Sequence, residues 1–313
     1  MSPFISRRTL LAAAITLAAG LPLAIPSATF AAEPVKVGSK IDTEGSLLGN
    51  IIIAVLDANG IPTVNKVSLG NTKIVRGAIT AGEIDIYPEY TGNGAFFFSV
   101  DSDPVWKNAK EGYEKVKQLD FDANKIVWLT PAPADNTWVI AIRKDVADAN
   151  QLASLEQFAT WINGGGTFKM AASAEFVESP AALPAFQTAY GFKLGSDQIV
   201  TLAGGDTTTF IKAAAEQTSG VNGSLAYGTD GALAALGLIA LADDKGVQPV
   251  YAPAPIIREA VLKDYPQIAD LLAPVFQTLD GPALQSLNAK IAVDGLDPKQ
   301  VATDYLKSKG LLK

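Results

Sequence analysis

The stretch GEIDIYPEYTGN, residues 82–93, begins as an alternating strand and ends in a turn that carries tyrosines, carboxylates and small polar side chains. Pro88 has no N–H to donate to a neighbouring strand, so we expect the strand to stop there or to run at a sheet edge. Glu89 and the residues after it then lie at a strand end, where α/β proteins place their ligand sites. Tyrosine rings beside carboxylates suit a cationic or quaternary-ammonium ligand. The alternative is a turn whose tyrosines only cover the edge of the core.

The elements before this stretch alternate between strand and helix. Asp42 or Thr43 can cap the first helix, and Asn59-Gly60 is a helix-stop signal. The periodicity predicts, in order, a strand at 35–39, a helix at 44–58, a strand at 64–69, a helix at 72–81 and a strand at 83–87. This βαβαβ order predicts a mainly parallel sheet with right-handed crossovers.

A second α/β unit follows a stiff, proline-containing connector at 130–134. The later pattern predicts a helix at 104–125, strands at 137–142 and 168–172, a helix capped by Asp206, a strand at 248–251 and C-terminal helices. About 280 residues are many for one core, so we expect two lobes with a ligand cleft between them. The predicted lobes are 33–138 plus 247–313, and 139–246.

The N-terminus has the organisation of an export signal. Arg7 and Arg8 precede an uncharged run at 10–30, and small residues mark a cleavage site after Ala31 or Ala32. The residues around the two arginines are also similar to a loose twin-arginine signal. A retained membrane anchor is the alternative, but two prolines and a glycine interrupt the uncharged run. We therefore predict a cleaved signal peptide at 1–32 and a periplasmic mature protein.

Cysteine and histidine are both missing from the sequence. Without cysteine there is no disulfide, no thiolate nucleophile or metal site, and no lipid-bearing cysteine after the signal. Without histidine, the His-dependent serine, cysteine and zinc hydrolases are excluded. The formal net charge is −7, and removal of the two signal arginines makes it −9, which argues against nucleic acid as a partner. We expect no catalytic residue, no metal and no cofactor.

Five motifs in one order carry a likeness to a known family: VGSK at 37–40, LGNT at 69–72, EIDIYPEYTG at 83–92, NTW at 136–138 and YGTDG at 227–231. Together they resemble the substrate-binding proteins of osmoprotectant ABC importers, which take up glycine betaine, choline and related compounds. The likeness covers nearly all of the mature chain. ASAEFVESP at 172–180 and QPVY at 248–251 are similar to the osmotically regulated periplasmic branch.

This resemblance implies an α/β, two-lobed periplasmic-binding-protein fold of type II, with two mainly parallel sheets joined by two crossover segments. It also implies that the lobes close on a small osmolyte and that ABC permease and ATPase subunits in the inner membrane are the partners. We expect the binding protein to be a monomer.

The resemblance also implies the ligand-binding residues. Four aromatic side chains would box the quaternary ammonium, namely Tyr90, Trp138, Tyr227 and Tyr251, with Trp138 where a tyrosine is usual. Lys40 would bind a ligand carboxylate, and Asn93 stands where a threonine hydroxyl normally helps. Without the resemblance, Trp138 and Tyr251 would be read as packing residues and Lys40 as a surface charge.

One position departs from the family pattern. Glycine betaine binders carry an arginine for the ligand carboxylate, and this chain has Ser179 there, with Glu178 beside it. Loss of a buried arginine–carboxylate pair costs roughly 2–5 kcal/mol. We therefore expect glycine betaine to bind weakly, or the ligand to lack a carboxylate.

Two other functions remain compatible with the sequence. A periplasmic enzyme would have to use two carboxylates among Asp85, Glu89, Glu175 and Asp230, but no spacing selects a pair. A sensor that reports ligand occupancy to a membrane receptor would use the same two-lobed fold. Nothing in the sequence separates this sensor from a transport component.

Overall fold

The computed structural model describes residues 33–202 and 207–312. The predicted signal peptide at 1–32 and the predicted helix cap Asp206 lie outside the described residues. Among the residues that the structure describes, no helix is long and apolar enough to cross a membrane.

Within residues 33–202 and 207–312, ten strands form two sheets. In chain order they are β1 (Val35–Lys40), β2 (Thr63–Gly70), β3 (Ile86–Tyr90), β4 (Ile126–Trp128), β5 (Trp138–Arg143), β6 (Met170–Ala172), β7 (Ile199–Thr201), β8 (Gly223–Tyr227), β9 (Leu238–Ala240) and β10 (Pro253–Arg258). The first sheet has the order β2-β1-β3-β10-β4, and the second has the order β7-β6-β8-β5-β9.

Helices connect and cover these strands. The α-helices are α1 (Thr43–Ala58), α2 (Thr72–Ala81), α3 (Asn93–Phe97), α4 (Ala109–Asn124), α5 (Lys144–Asn150), α6 (Leu155–Asn163), α7 (Ala174–Glu178), α8 (Leu183–Tyr190), α9 (Thr207–Ala215), α10 (Gly231–Ala235), α11 (Glu259–Asp264), α12 (Ile268–Phe276), α13 (Gly281–Ala292) and α14 (Pro298–Ser308). The helix predicted at 104–125 is a 3₁₀ turn, Pro104–Lys107, followed by α4, because Asn108 caps α4.

The βαβαβ prediction is confirmed in the first sheet, where β1 is parallel to both β2 and β3. The Asp42 side chain caps α1 by accepting from the Gly45 N–H at 2.7 Å, and α1 ends at Asn59 as predicted. The sheets are mixed rather than mainly parallel. The long-range strand β10 inserts antiparallel between β3 and β4, and β5 runs antiparallel between β8 and β9.

The prediction that Pro88 ends its strand or lies at an edge is wrong. Strand β3 continues through Pro88 with neighbours on both sides, and Pro88 faces Pro255 of β10. Ladder hydrogen bonds join Thr91 N to Ala252 O and a β10 amide to the Asp85 carbonyl, so alternate positions between them are hydrogen-bonded. Pro88 falls on a non-hydrogen-bonded position, where the missing N–H costs nothing in this ladder.

The strand predicted at 248–251 is also misplaced, because the residues that pair are 253–258. Prolines alternate with apolar residues in this segment, and that pattern predicts a rigid coil although the segment is a central strand. Residues 241–252 instead form one of two connections between the sheets, and residues 129–137 form the other. The two connections lie side by side, since the Asn136 N–H donates to the Tyr251 carbonyl at 3.1 Å.

Each sheet has its own apolar core. The first sheet is covered on one face by α1, α12, α13 and α14 and on the other by α2 and α4. The second sheet is surrounded by a continuous cluster in which, among the described residues, six phenylalanines are buried: Phe158, Phe168, Phe176, Phe186, Phe192 and Phe210. Burial of apolar area on this scale is the main favourable term that holds each unit together.

A tight helix contact joins the two units beside the connections. Helix α10, which follows β8 of the second sheet, packs against α13 of the first unit. A β-carbon at Gly231 would lie 2.1 Å from the Ala289 nitrogen, so only glycine permits this approach. The Gln285 amide crosses the same contact by donating to the Gly228 carbonyl at 2.8 Å.

Candidate functional site

A cavity of about 1040 Å³ lies where the two sheets face each other, and its walls come from both. Strand ends, the turn after β8 and helices α1, α3 and α13 supply its lining. Six of the seven residues predicted from the sequence line it: Lys40, Tyr90, Asn93, Trp138, Tyr227 and Tyr251. The structure therefore brings together side chains that are far apart in sequence.

Lys40 at the end of β1 is buried, 7% exposed, which excludes its reading as a surface charge. Its ammonium lies 2.5 Å from Oε1 of Glu89 and 4.5 Å from the centroid of the Tyr90 ring. The fully buried Glu89 also accepts from Asn93 Nδ2 at 2.7 Å and from the Tyr87 hydroxyl at 2.8 Å. Lys40 and Asn93 are thus already engaged by a carboxylate of the protein.

Trp138 and Tyr227 face each other across the antiparallel pair of β5 and β8. The Trp138 ring contacts buried Phe176 edge-on, with centroids 5.8 Å apart, so its outer part faces the cavity and its inner part joins the core. The Tyr227 N–H donates to Asp230 Oδ2 at 2.7 Å, which fixes the turn into α10. Burial raises the pKa of the Tyr227 hydroxyl, so the side chain remains neutral.

Tyr251 sits on the second connection, and its N–H donates to Asp135 Oδ1 on the first connection at 2.8 Å. Its ring covers Gly92, where a β-carbon would lie 2.8 Å from Cδ1 and Cε1. Burial raises the pKa of Asp135 to about 6, while the Tyr251 N–H opposes that rise. Tyr251 is thus anchored by its backbone to the segments that join the two units.

A buried carboxylate that the sequence did not single out also lines the cavity. Glu44 in the first turn of α1 is 4% exposed, and its Oε1 accepts from the Tyr90 hydroxyl at 2.8 Å. Asn136 Nδ2 donates to Oε1 at 3.2 Å, Asn288 Nδ2 donates to Oε2 at 2.8 Å, and the Thr229 side chain adds another hydrogen bond. Burial raises the pKa of Glu44 to about 7, despite these donors.

The sequence offered uneven signals for these additional residues. Asn136 and Thr229 lie inside motifs that carry the family resemblance, so they could have been proposed as site residues. Glu44 has the position of an ordinary acidic residue that favours a helix N-terminus. Asn288 lies on α13, where no motif marks it.

Ser179 is the predicted site residue that the structure does not bring to the cavity. It caps the C-terminus of α7, and its N–H donates to the Glu175 carbonyl at 2.9 Å. Among the described residues that line the cavity, the nearest in sequence is Ala181. The segment after α7 therefore presents no cation to the cavity at these positions.

Of the four acids named for a catalytic alternative, Asp230 lines the cavity and two others are held in ion pairs. Asp85 forms an ion pair with Arg258 at 2.8 Å and accepts from the Lys36 N–H, and Glu89 is held by Lys40. Among the described residues, no group of three acidic side chains is arranged to hold a metal ion. The geometry of the cavity is that of a binding site: aromatic faces and hydrogen-bonding groups around a space for a small molecule.

Two mixed α/β units, joined by two connections around a shared cavity, define a type II periplasmic-binding-protein fold. The family model for the substrate-binding domain of ABC-type glycine betaine transport systems, OpuAC, matches residues 33–308. The chain belongs to this family.

The relatives agree with this assignment. The glycine betaine-binding protein YehZ of Escherichia coli (strain K12) is 67% identical over 283 residues, covering 90% of this chain and 93% of YehZ. A glycine-betaine-binding protein of Pseudomonas aeruginosa is 31% identical over 287 residues, covering 90% of this chain and 89% of the relative. The solved structure of apo YehZ has a TM-score of 0.84 and covers 90% of this chain and 100% of that chain.

Proposed function

We propose that this chain is the periplasmic solute-binding component of an ABC importer, and that it binds a small quaternary-ammonium osmolyte in the cavity. The names of the relatives support this ligand class, since two of them are glycine betaine-binding proteins. Permease and ATPase subunits are the partners that such a component requires. The predicted signal peptide would export the chain, and the mature protein would act as a monomer.

The observation that carries the proposal is the meeting of four aromatic rings at one cavity: Tyr90, Trp138, Tyr227 and Tyr251. A trimethylammonium group has no N–H to donate, so it is recognised by shape and by π faces. Each well-placed ring contributes about 0.5–2 kcal/mol once water is excluded. Four rings therefore supply a substantial part of the roughly 8 kcal/mol that micromolar binding needs.

The carboxylate end of a betaine would meet a less favourable part of the cavity. Lys40, the predicted carboxylate binder, is neutralised by Glu89 at 2.5 Å, and Glu44 adds a second buried carboxylate. A ligand carboxylate would have to compete with Glu89 for Lys40. We therefore infer that the chain binds glycine betaine weakly, and that the ammonium end of the ligand supplies most of the binding free energy.

We propose that 33–138 plus 247–313 and 139–246 act as lobes that close on the ligand. The connections at 129–137 and 241–252 would then be the hinge, because they are the segments that pass between the sheets. Closure around the ligand would create the surface that a permease recognises. The mechanism is differential binding of ligand by the closed form, with no chemical step.

Tryptophan fluorescence and calorimetry test the ligand proposal. We expect glycine betaine, choline, carnitine or proline betaine to perturb the emission of the wild-type protein, and Trp138→Phe to remove the change and weaken binding. Trp161→Phe, which alters a ring outside the cavity lining, should keep both responses. Ser179→Ala should change affinity by less than about twofold, since no cavity contact is lost. Absence of heat and fluorescence change with every compound would overturn the proposal.

A further inference from the structure

Glu44 is a buried carboxylate on the cavity wall, and its hydrogen-bond partners are uncharged. Among the described residues, no lysine or arginine forms an ion pair with it. Its oxygens accept instead from the Tyr90 hydroxyl, the Asn136 amide and the Asn288 amide. A buried carboxylate without a counter-ion is costly, because the protein interior screens charge far less than water does. A cation that a ligand brings into the cavity would reduce this cost.

The Tyr90 hydroxyl links Glu44 to the four rings of the cavity. Burial and the neighbouring Glu44 raise the pKa of Tyr90 well above its usual range, so the hydroxyl keeps its proton and acts as the donor. Its hydrogen bond to a carboxylate is charge-assisted and holds the ring in one orientation. The bond also shifts electron density toward the ring, which makes the π face more attractive to a cation. Lys40 lies 4.5 Å from the centroid of this ring, so a cation of the protein already uses it.

The charged groups on the same side of the cavity do not balance Glu44. Burial, and to a smaller extent repulsion by Asp42, raises the pKa of Glu44 to about 7. The Asp42 side chain is fixed at the start of α1, where it accepts from the Gly45 N–H. Lys40 at the end of β1 is neutralised by Glu89.

The elements that pack against Glu44 from the other sides do not balance its charge either. The turn after β8 supplies a hydrogen bond from the Thr229 side chain, and in the same turn Asp230 accepts from the Tyr227 N–H. The connection at 129–137 and α13 supply the two asparagine amides, which do not titrate. A ligand ammonium is therefore the cation that can balance Glu44.

We propose that Glu44 is a positioning residue for the ammonium end of the ligand. Its carboxylate holds the Tyr90 hydroxyl, orients the ring and strengthens its π face, and its negative charge attracts the quaternary ammonium. This inference rests on the proposed function, in which the rings hold such a group. It applies to glycine betaine and to choline alike, because both carry a trimethylammonium group.

This role makes ligand binding depend on pH. A bound ammonium stabilises the ionised carboxylate, so it lowers the pKa of Glu44 from its value of about 7 in the free protein. The affinity is then lowest where Glu44 is protonated in both states, rises as the pH approaches 7, and is constant above that value. Binding near that pH releases part of a proton. Glycine betaine itself does not titrate there, because its nitrogen carries no proton and its carboxylate is ionised.

Calorimetry with glycine betaine, on the chain without its predicted signal peptide, tests this role. We expect the wild-type protein to bind about fivefold more tightly at about pH 8.5 than at about pH 5.5, since a pKa shift of one unit corresponds to tenfold. Glu44→Gln should equal the wild type at the lower pH and bind about fivefold more weakly at the higher pH. Heats in two buffers of different ionisation enthalpy measure the released proton, which should be smaller in the variant.

A double-mutant cycle tests whether Glu44 acts through the Tyr90 hydroxyl. In a Tyr90→Phe background, which lacks this hydroxyl, Glu44→Gln should cost about twofold at the higher pH instead of about fivefold. An equal cost in both backgrounds would overturn the action through Tyr90.

Two variants control for other acidic groups. Burial raises the pKa of Asp135 to about 6, and Asp135→Asn should nevertheless keep the pH dependence of binding. Glu114→Gln, at an exposed position, should keep both the affinity and its pH dependence. If Glu44→Gln does not fold, proton release by Asp135→Asn carries the test, because Asp135 no longer contributes to it.

The outcomes separate this inference from the proposed function. A wild-type affinity that is the same at both pH values, or a Glu44→Gln variant weakened equally at both, would overturn the role of Glu44 while leaving osmolyte binding intact. Absence of binding of both glycine betaine and choline at every pH would overturn the proposed function together with this inference.

Discussion

Replacement of Glu44 by glutamine should change how the stability of the protein depends on pH. Glu44 has a pKa of about 7 in the folded protein, raised from 4.5 chiefly by burial. Between those values the folded state binds more protons than the unfolded state, so the free energy of unfolding falls as pH rises. Glutamine cannot titrate, so the variant lacks this loss.

The size of the effect follows from the two pKa values. Each tenfold change in protonation equilibrium corresponds to about 1.4 kcal/mol, so moving from 4.5 to about 7 corresponds to about 3 kcal/mol. The loss of unfolding free energy that Glu44 causes is absent below pH 4.5, grows from there to pH 7, and is constant above pH 7. Glutamine also disturbs the donors around Glu44, but that cost is the same at every pH.

The assay is urea unfolding of wild type and Glu44→Gln at several pH values from 4.5 to 8.5. The difference in unfolding free energy between the two proteins cancels the titration of other groups, including Asp135. We expect this difference to shift by about 3 kcal/mol in favour of the variant as pH rises. Glu114→Gln, at an exposed position, should show no shift. A Glu44 difference constant to within about 0.5 kcal/mol would refute the reasoning.

Two further stability predictions follow from the packing. Gly231→Ala should lower the free energy of unfolding by about 1–3 kcal/mol, because the added β-carbon overlaps the backbone of α13. Gly77→Ala, which has open space on α2, should raise the free energy of unfolding by up to about 1 kcal/mol. Urea titration measures both changes, and equal effects would contradict the packing argument. Asp120→Ala should cost about 3–5 kcal/mol by thermal unfolding, since Arg76 and the Trp128 N–H would lose their acceptor, and a loss below 1 kcal/mol would count against this.

Local patterns predicted the parts of the fold that depend on neighbouring residues. Alternation and capping located β1, α1, β2 and α2 because each periodicity reflects one buried face. They failed at Pro88 and at residues 253–258, where the outcome depends on which strand pairs with which. The Pro88–Pro255 match becomes visible only when two distant segments are set side by side.

In the candidate site, too, local patterns predicted some residues, and others depend on contacts between distant segments. Tyr90, Trp138, Tyr227 and Tyr251 lie in motifs that resemble a family, and the fold carries all four to one cavity. Glu44 and Asn288 are 244 residues apart, and their hydrogen bond depends on the docking of α13. No local pattern could predict it, because each residue alone resembles an ordinary helical position.

The facing prolines of β3 and β10 also disfavour incorrect strand register when the first sheet forms. Ladder positions alternate, so sliding β10 along β3 by one residue would move either Pro88 or Pro255 onto a position that needs an amide hydrogen. Such a slip would lose ladder bonds, and it would also turn the apolar side chains of one strand to the wrong face. The prolines thus mark the correct alignment of two segments that are distant in the sequence.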